Sequence, residues 1–483
     1  MNHPRGLQTL FFTEMWERFS YYGMRALLVL FMTAEIQRGG LGLTDRVATA
    51  IYGLYVAGVY LSALPGGWIA DRLLGAQRAL MVGGSLIALG HFTLALPSLK
   101  AFYLGLTLVV LGTGLLKPNI SALVGLLYPE GGARRDAGFT IFYMGINLGA
   151  AIGPLVCGSL GERINWHYGF GAAGIGMVLG LVQFHLTRHR LGNIGLTPEH
   201  RGPDSRRDQK WLAAAVGGLV ILIALCLTEV IHIEPVRLAQ RTSGVIVGMA
   251  VAYFVWAFFF AGLGLVEKRR VGVILILFIA SALFWSGYEQ AGSSLNLFAE
   301  RYTNRNTPFL SQPMPASWFQ SLPAIFVIVF APVVAGIWVW MAKRGRNPSL
   351  GAKMGWGLVL LALGFLVVAM ASRRALANGP VWPTWLVATY LLHVFGELLI
   401  SPVGLSSVTK LAPPRLVGQM MGIWFLGTSL GNLMAGLFAG EVSGQNAAAM
   451  PARFLQVVLF SGSIGFILLL FTKRIRRLMP DVE

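Results

Sequence analysis

The sequence predicts an all-α membrane protein with fourteen transmembrane helices, arranged as two six-helix bundles plus an inserted two-helix hairpin. Of its 483 residues, 55% are hydrophobic and only 12% are charged. A soluble domain typically carries about 25% charged residues, so this chain lacks the polar side chains for a water-facing surface of its size. Long apolar segments also recur along the chain and must face lipid.

Each predicted span has about 20 mostly apolar residues, the length that crosses the hydrocarbon of a bilayer. The fourteen segments are 8–33, 46–70, 77–97, 101–127, 137–161, 166–187, 210–230, 243–265, 271–298, 316–342, 351–371, 383–409, 416–440 and 452–472. An even number of spans places both termini on one side of the membrane.

The formal net charge of +18 reflects membrane topology rather than a nucleic-acid partner. With cytoplasmic termini, 24 Lys and Arg residues fall in cytoplasmic segments and 11 in the opposite loops. This excess agrees with the positive-inside rule. The remaining three, Arg18, Arg25 and Lys117, lie inside predicted spans, where topology does not explain them.

The long polar loop 188–210 divides the chain. The sequence predicts an N-terminal six-helix bundle in 1–190, a linker and transmembrane hairpin in 191–270, and a C-terminal six-helix bundle in 271–483. The hairpin spans carry few ionisable groups.

Two glycine-containing segments have an echo in the second half of the chain. Gly112–Pro118 resembles Gly396–Pro402, and Gly145–Gly149 resembles Gly427–Gly431. Two related halves with a site at the midplane between them are the usual build of rocker-type carriers.

The first span carries a dense charged stripe. At 100° per residue, Glu14, Glu17, Arg18, Tyr21 and Arg25 share one face of the helix. The opposite face, suited to lipid or packing, consists of Phe12, Met15, Phe19 and Leu27. One interpretation is that the two Glu and two Arg neutralise each other and hold helices together. The other is a proton carrier, since the proton affinity of a carboxylate depends on whether an Arg is paired with it.

Further ionisable groups lie in predicted spans at a cost of at least about 2.5–3.5 kcal/mol each, so they should face a cavity and have partners. We expect Lys117, which precedes Pro118, to pair with Glu397, and Arg25 to pair with Glu289. Static contacts between helices are the alternative interpretation.

At the predicted outer side, Arg46 and Glu300 could meet at the mouth of the second span. They form either a gate or an idle surface pair.

Cations in one half and a carboxylate in the other suit a zwitterion. The carboxylate of a peptide could bind Arg25 and Lys117, and its ammonium could bind Glu397. Hydrogen bonds and aromatic walls would come from Tyr22, Tyr60, Asn147, Trp285 and Trp424. Tyr and Trp side chains in spans also serve as packing or interface anchors.

Other patterns point away from an enzyme or a metalloprotein. The GxGxxG pattern at 169–174 opens a transmembrane helix with no preceding strand, which favours helix packing over dinucleotide binding. His185 and His189 are four residues apart at a span end with no carboxylate beside them. The chain has no GxxxxGK[ST], HExxH or nucleophile-elbow sequence, and its two cysteines form no metal set. We therefore expect no enzyme activity, no metal and no cofactor.

At residues 14–23 the sequence Glu-Met-Trp-Glu-Arg-Phe-Ser-Tyr-Tyr-Gly fits ExxERFxYYG, a motif of the proton-dependent oligopeptide transporter family of the major facilitator superfamily. Segment 139–149 resembles the family's span-five signature, and 396–402 resembles its span-ten motif. Segment 66–75 resembles the superfamily's cytoplasmic motif between spans two and three. The resemblance covers essentially the whole chain, including the hairpin typical of bacterial members.

The resemblance implies the major facilitator fold and a proton-coupled symporter that imports di- and tripeptides by alternating access. Such a protein would work as a monomer in the bacterial inner membrane, with the proton as coupling ion. It implies proton coupling by Glu14, Glu17, Arg18 and Glu289, and an outer gate of Arg46 and Glu300. The implied peptide-binding residues are Tyr22, Arg25, Tyr60, Lys117, Asn147, Trp285, Glu397 and Trp424.

Two alternatives stay open: a transporter of the same fold for nitrate, a conjugate or a drug, and a non-transporting receptor or membrane enzyme. One departure bears on the first. Many family members have Asn-Pro after the segment equivalent to Gln320-Ser321, and that Asn can contact the peptide. Here the run is Leu322-Pro323-Ala324, without an Asn.

Overall fold

The structure, a computed structural model, describes residues 3–198, 205–308, 310–346, 348–442 and 447–479. These residues are helical apart from turns, loops and one isolated parallel bridge between Thr303 and Val381. The chain divides into two compact units. Unit 1 comprises Met1–Gly42 and Gly58–Glu234, and unit 2 comprises Leu43–Ala57 and Pro235–Glu483.

Unit 1 contains six helices and the second half of a seventh. They are α1 (Arg5–Thr33), α2 (Asp45–Ile69, from Gly58), α3 (Ala76–Leu94), α4 (Leu99–Leu126), α5 (Gly132–Arg163), α6 (Trp166–Thr187) and α7 (Ser205–Leu227). Short 3-10 helices span Ile36–Arg38 and Arg188–Leu191, and a π-helical turn spans Ala70–Leu74. A large apolar core lies where α1, α3, α4 and α6 meet, built from residues such as Leu10, Leu80, Ile120, Met177 and Phe184.

Unit 2 contains the first half of α2 and eight further helices. They are α8 (Pro235–Phe259), α9 (Leu265–Tyr288), α10 (Ser294–Tyr302), α11 (Leu322–Lys343), α12 (Leu350–Asn378), α13 (Thr384–Leu411), α14 (Val417–Val442) and α15 (Met450–Arg477). Short 3-10 helices span Glu289–Gly292, Ala316–Ser321, Pro414–Leu416 and Ala447–Ala449.

Local sequence sets several helix ends. Asn165 begins α6 by accepting a hydrogen bond from the His167 backbone N–H at 2.9 Å, and Ser349 begins α12 by accepting one from Ala352. Such side chains satisfy N–H groups that have no partner within the helix. Gly379 follows α12 at a φ of 82°, a left-handed conformation that stops the helix at little cost in glycine.

The predicted all-α membrane class is confirmed. Within the described residues, 12 helices are long and apolar enough to cross a membrane. The sequence predicted fourteen spans, and the two not among the twelve are α1 and α3. Helix α1 carries four charged side chains between Glu14 and Arg25. Helix α3 has 19 residues, which include Gln77, Arg78 and His91.

The predicted linker and hairpin cover α7 and α8, with residues 199–204 outside the described part. Helix α7 belongs to unit 1 and α8 belongs to unit 2. In its apolar stretch, α7 buries 0% of its residues and α8 buries 22%. Both helices thus present apolar side chains outward, as lipid-facing helices do. The boundaries 1–190, 191–270 and 271–483 stay a prediction.

In unit 1, glycines let helix backbones approach closely. A Cβ on Gly149 of α5 would lie 2.1 Å from the Met15 carbonyl oxygen of α1, and one on Gly153 would lie 2.5 Å from that of Phe19. A Cβ on Gly112 of α4 would lie 2.5 Å from the Gly83 carbonyl oxygen of α3. Small residues of this kind are what helix interfaces in membranes use.

The echoed glycines of unit 2 have the same packing role. A Cβ on Gly431 of α14 would lie 2.7 Å from the Ala282 carbonyl oxygen of α9, and one on Gly396 of α13 would lie 2.8 Å from that of Gly357 in α12. The sequence similarity between the halves therefore corresponds to equivalent helix contacts.

Replacing Gly149 with Ala is expected to destabilise the protein, because the new methyl group would overlap a backbone oxygen that cannot rotate away. Overpacking of this kind costs about 1–3 kcal/mol. The measurement is thermal unfolding of the protein in detergent, with Gly218→Ala as the control, since nothing lies within 4 Å of a Cβ built on Gly218. Equal unfolding temperatures for the two variants would contradict this packing.

Candidate functional site

The first helix holds three charged side chains in direct contact. Arg18 Nε lies 3.1 Å from Glu14 Oε1 and also pairs with Glu17 Oε2. The three side chains are at most 4% exposed. One guanidinium thus serves two carboxylates inside the protein. We call Glu14, Glu17 and Arg18 the α1 triad.

The surroundings hold the α1 triad in place. Glycines of α5 contact the backbone of α1 at Met15 and Phe19, beside the triad. The Tyr21 ring lies 5.1 Å below the Arg18 guanidinium, a cation–π distance. Of the residues predicted for the opposite face, Phe19 and Leu27 are buried, whereas Phe12 is 45% exposed.

Two more cations of unit 1 lie against aromatic rings. Lys117 Nζ is 4.1 Å from the centre of the Tyr60 ring, and the Arg25 guanidinium carbon is 5.5 Å from that of Tyr22. All four residues were predicted to bind substrate. The structure shows that they form two cation–aromatic pairs, a grouping that the sequence did not reveal.

A close crossing of α2 and α4 positions Lys117 beside Tyr60. A Cβ on Gly66 would lie 2.0 Å from the Gly114 carbonyl oxygen, and Ser62 Oγ donates to the Val110 carbonyl at 3.0 Å. The remaining predicted residue of unit 1, Asn147, is 7% exposed and donates to the Tyr143 carbonyl at 2.9 Å.

In unit 2 the predicted span 271–298 is not one continuous helix. Helix α9 ends at Tyr288, the 3-10 turn Glu289–Gly292 follows, and α10 begins at Ser294. Glu289 is therefore the first residue of the break and is 4% exposed. Interrupted transmembrane helices supply free backbone groups at transport sites.

Gln320 satisfies one of these free groups. Its side-chain N–H donates to the Ala291 carbonyl, and the Tyr390 hydroxyl lies 3.5 Å from the same oxygen. Gln320 lies in the 3-10 helix before α11, two residues ahead of the Leu322-Pro323-Ala324 run that departs from the family pattern. The hydrogen bond from Gln320 to Ala291 therefore stabilises the break after α9, close in sequence to the Leu322-Pro323-Ala324 run.

The sequence reasoning missed Tyr288. Its hydroxyl donates to Glu397 Oε2 of α13, 109 residues away in the sequence. The Tyr288 ring also contacts Trp285 edge-on, with 5.4 Å between ring centres. The available signal was that Tyr288 directly precedes Glu289. The acceptor of the Tyr288 hydroxyl, however, depends on how α9 packs on α13.

The other predicted aromatic residue of this unit, Trp424 of α14, is 7% exposed. A Cβ on Gly404 of α13 would lie 2.2 Å from its ring. Gly404 thus leaves room for the indole.

An ion pair near the start of α2 was not among the predicted pairs. Arg301 Nη1 and Nη2 lie 2.7 and 2.9 Å from the two carboxylate oxygens of Asp45, a bidentate pair. The predicted partners, Arg46 and Glu300, are the residues next to this pair. Arg46 is exposed, and Glu300 Oε2 lies 3.6 Å from Arg301 Nε. The gate role of Arg46 and Glu300 stays a prediction.

The predicted pairs Arg25–Glu289 and Lys117–Glu397 join residues of different units and stay predictions. Within the ranges that the structure describes, no cluster of three His, Cys, Asp or Glu side chains could hold a metal ion.

Twelve described helices that can cross a membrane, with buried charges on α1 and an interrupted helix in unit 2, are the features of a polytopic membrane protein built for transport, and comparison with known proteins gives its family. Residues 77–451 match the POT family. The chain is 42% identical to the peptide transporter YePEPT of Yersinia enterocolitica subsp. palearctica, over 100% of this chain and 96% of the relative. It is 38% identical to a di-/tripeptide transporter of Lactococcus lactis subsp. cremoris, over 99% and 97%.

Solved structures agree. The crystal structure of the peptide transporter POT in complex with sulfate superposes with a TM-score of 0.91 at 40% identity, covering 99% of this chain and 96% of that one. The chain belongs to the POT family. It is a multi-pass protein of the bacterial inner membrane and a transporter rather than an enzyme.

The Asp45–Arg301 pair makes a prediction about stability. Asp45→Asn and Arg301→Gln should each lower the free energy of unfolding by about 1 kcal/mol, since the pair is bidentate and its carboxylate is largely buried. The double variant should lose little more than either single variant. Thermal unfolding in detergent measures all three, with Arg46→Gln as the neighbouring control. Additive losses would contradict a coupled pair.

Proposed function

We propose that this protein is a proton-coupled symporter that imports di- and tripeptides by alternating access. The α1 triad is the observation that carries the proposal, because it places two carboxylates and one guanidinium where few water molecules can reach them. Membership of the POT family and similarity to transporters named for peptides support the same substrate class.

The α1 triad suits a proton site because of its charge. With all three groups ionised it carries a net charge of −1, and one bound proton makes it neutral. A net charge buried inside a membrane protein is costly, so the negative charge of the triad favours the binding of one proton. A movement that changed the distance from Arg18 to either carboxylate would then bind or release the proton. Glu289, buried at the helix break, is the fourth proposed proton-coupling residue, after the three of the α1 triad.

The charges of the two units match the two ends of a peptide. In unit 1, Arg25 and Lys117 are cations that would bind the peptide carboxylate. In unit 2, Glu397 would bind the peptide ammonium, with Tyr288 orienting the carboxylate. The remaining proposed contacts are Tyr22, Tyr60, Asn147, Trp285 and Trp424. Arg46 and Glu300, beside the Asp45–Arg301 pair, would form the outer gate.

We further propose that α1 and α3 also cross the membrane, which gives fourteen spans with α7 and α8 as the inserted hairpin. The excess of basic residues on one side supports cytoplasmic termini. The transporter would work as a monomer, without a cofactor, and would use only the proton as coupling ion.

Uptake of labelled dialanine into liposomes that contain the purified protein tests the proposal. An inward proton gradient should drive accumulation above the outside concentration, and a protonophore should abolish it. Liposomes without a gradient serve as the control. If protein with a normal thermal unfolding transition gave no uptake, or if accumulation ignored the protonophore, the proposal would be wrong.

Removing a carboxylate of the triad should separate proton coupling from peptide binding. Glu14→Gln or Glu17→Gln is expected to lower gradient-driven accumulation at least tenfold while exchange of labelled for unlabelled peptide persists. The matched control is Glu35→Gln, since Glu35 lies on the surface with a 68% exposed side chain. Full concentrative uptake by both triad variants would remove the triad from the coupling mechanism.

A further inference from the structure

A cavity outside the proposed transport site lies between the ends of α3 and α6. It measures about 840 Å³, within the range of about 300–1,000 Å³ that is typical of small-molecule sites. Four basic side chains line it: Arg78, His185, Arg188 and His189. Its other walls are mainly apolar, formed by Leu74, Met81, Val82, Phe184 and Leu196.

The wall formed by the loop after α6 is fixed against α3. Gln77 Nε2 donates to the Gly192 and Ile194 carbonyls at 3.2 and 2.7 Å, and the Gln77 backbone N–H donates to the Gly195 carbonyl at 3.0 Å. Gly75 has a φ of 80°, and a Cβ there would lie 2.6 Å from the Leu196 carbonyl oxygen. The cavity is thus a built feature of unit 1.

The basic side chains are available for an outside ligand. Arg78 and Arg188 are exposed, and within the described residues neither forms an ion pair. Within the described residues no acidic side chain lines the cavity, and the carboxylate of Asp208 lies 3.3 Å from Nη1 of Arg72, which is not a lining residue. The cavity therefore keeps an excess of positive charge.

The apolar wall continues onto the membrane-facing surface. Val82, which lines the cavity, is 44% exposed, and Leu186, next in sequence to the lining residue His185, is 66% exposed. With the proposed cytoplasmic termini and with α3 as a span, the basic groups lie at the end of two spans on the cytoplasmic side. The anionic lipids of that leaflet attract basic residues.

We propose that this cavity binds one anionic phospholipid, with its phosphate on Arg78 and Arg188 and an acyl chain along Met81 and Val82. A guanidinium matches the phosphate group with two parallel hydrogen bonds. A free phosphate would use the arginines but not the apolar wall, and a zwitterionic lipid would lose the charge match. The proposal is independent of the transported substrate.

Native mass spectrometry of the full-length protein in neutral detergent tests this, by titration with phosphatidylglycerol or phosphatidylcholine of equal chain length. One phosphatidylglycerol should bind at least tenfold more tightly than phosphatidylcholine. The R78Q/R188Q variant should lose this preference. The control R5Q/R190Q removes two exposed arginines of unit 1 that do not line the cavity, and it should bind as the unaltered protein does.

A second variant keeps every charge. Val82→Trp would fill the apolar wall and should weaken phosphatidylglycerol binding at least fivefold, which a merely electrostatic attraction would not show. Millimolar glycerol phosphate should not displace the lipid. Equal binding by R78Q/R188Q and the unaltered protein, unchanged binding by Val82→Trp, or displacement by glycerol phosphate would each overturn the proposal.

Discussion

The burial of charge on α1 is the constraint on which much of unit 1 depends. Glu14, Glu17 and Arg18 cannot face lipid, so this side of the helix must be enclosed by protein. Glycines of α5 help to enclose it: a Cβ on Gly149 would lie 2.1 Å from the Met15 carbonyl oxygen and 2.9 Å from Arg18 Cβ. Because these positions have no side chain, the backbone of α5 can cover α1 directly beside the charged stripe.

Glycine contacts also bring helices together in unit 2, next to a different set of polar side chains. Gly431 brings α14 against α9, the helix whose end carries Tyr288 and Glu289. Helix α9 stops there, and the chain continues through a 3-10 turn that leaves carbonyl groups free. Gln320 and Tyr390 surround the Ala291 carbonyl. Close backbone packing therefore fixes the helices, and polar side chains satisfy the places where a helix is interrupted.

Residues close in sequence were the predictable part of the candidate site. Glu17 and Arg18 lie three and four positions after Glu14, so helix geometry places both beside Glu14. The Tyr288–Glu397 and Asp45–Arg301 contacts span 109 and 256 positions. Neither contact follows from local spacing. The predicted pair of Arg46 and Glu300, whose members are next in sequence to Asp45 and Arg301, stays a prediction.

The sequence by itself determined the membrane class, the glycine patterns that recur in the second half of the chain and the charged face of α1. These follow from local composition, from repeated glycine patterns and from helix periodicity, none of which requires knowledge of distant contacts. Only the tertiary structure decided which aromatic ring lies on which cation, where α9 stops and which carboxylate Tyr288 reaches. The basic cavity between α3 and α6 was likewise visible only in the tertiary structure. Those features depend on how helices distant in sequence pack, because a side chain's partners are set by the crossing of two backbones.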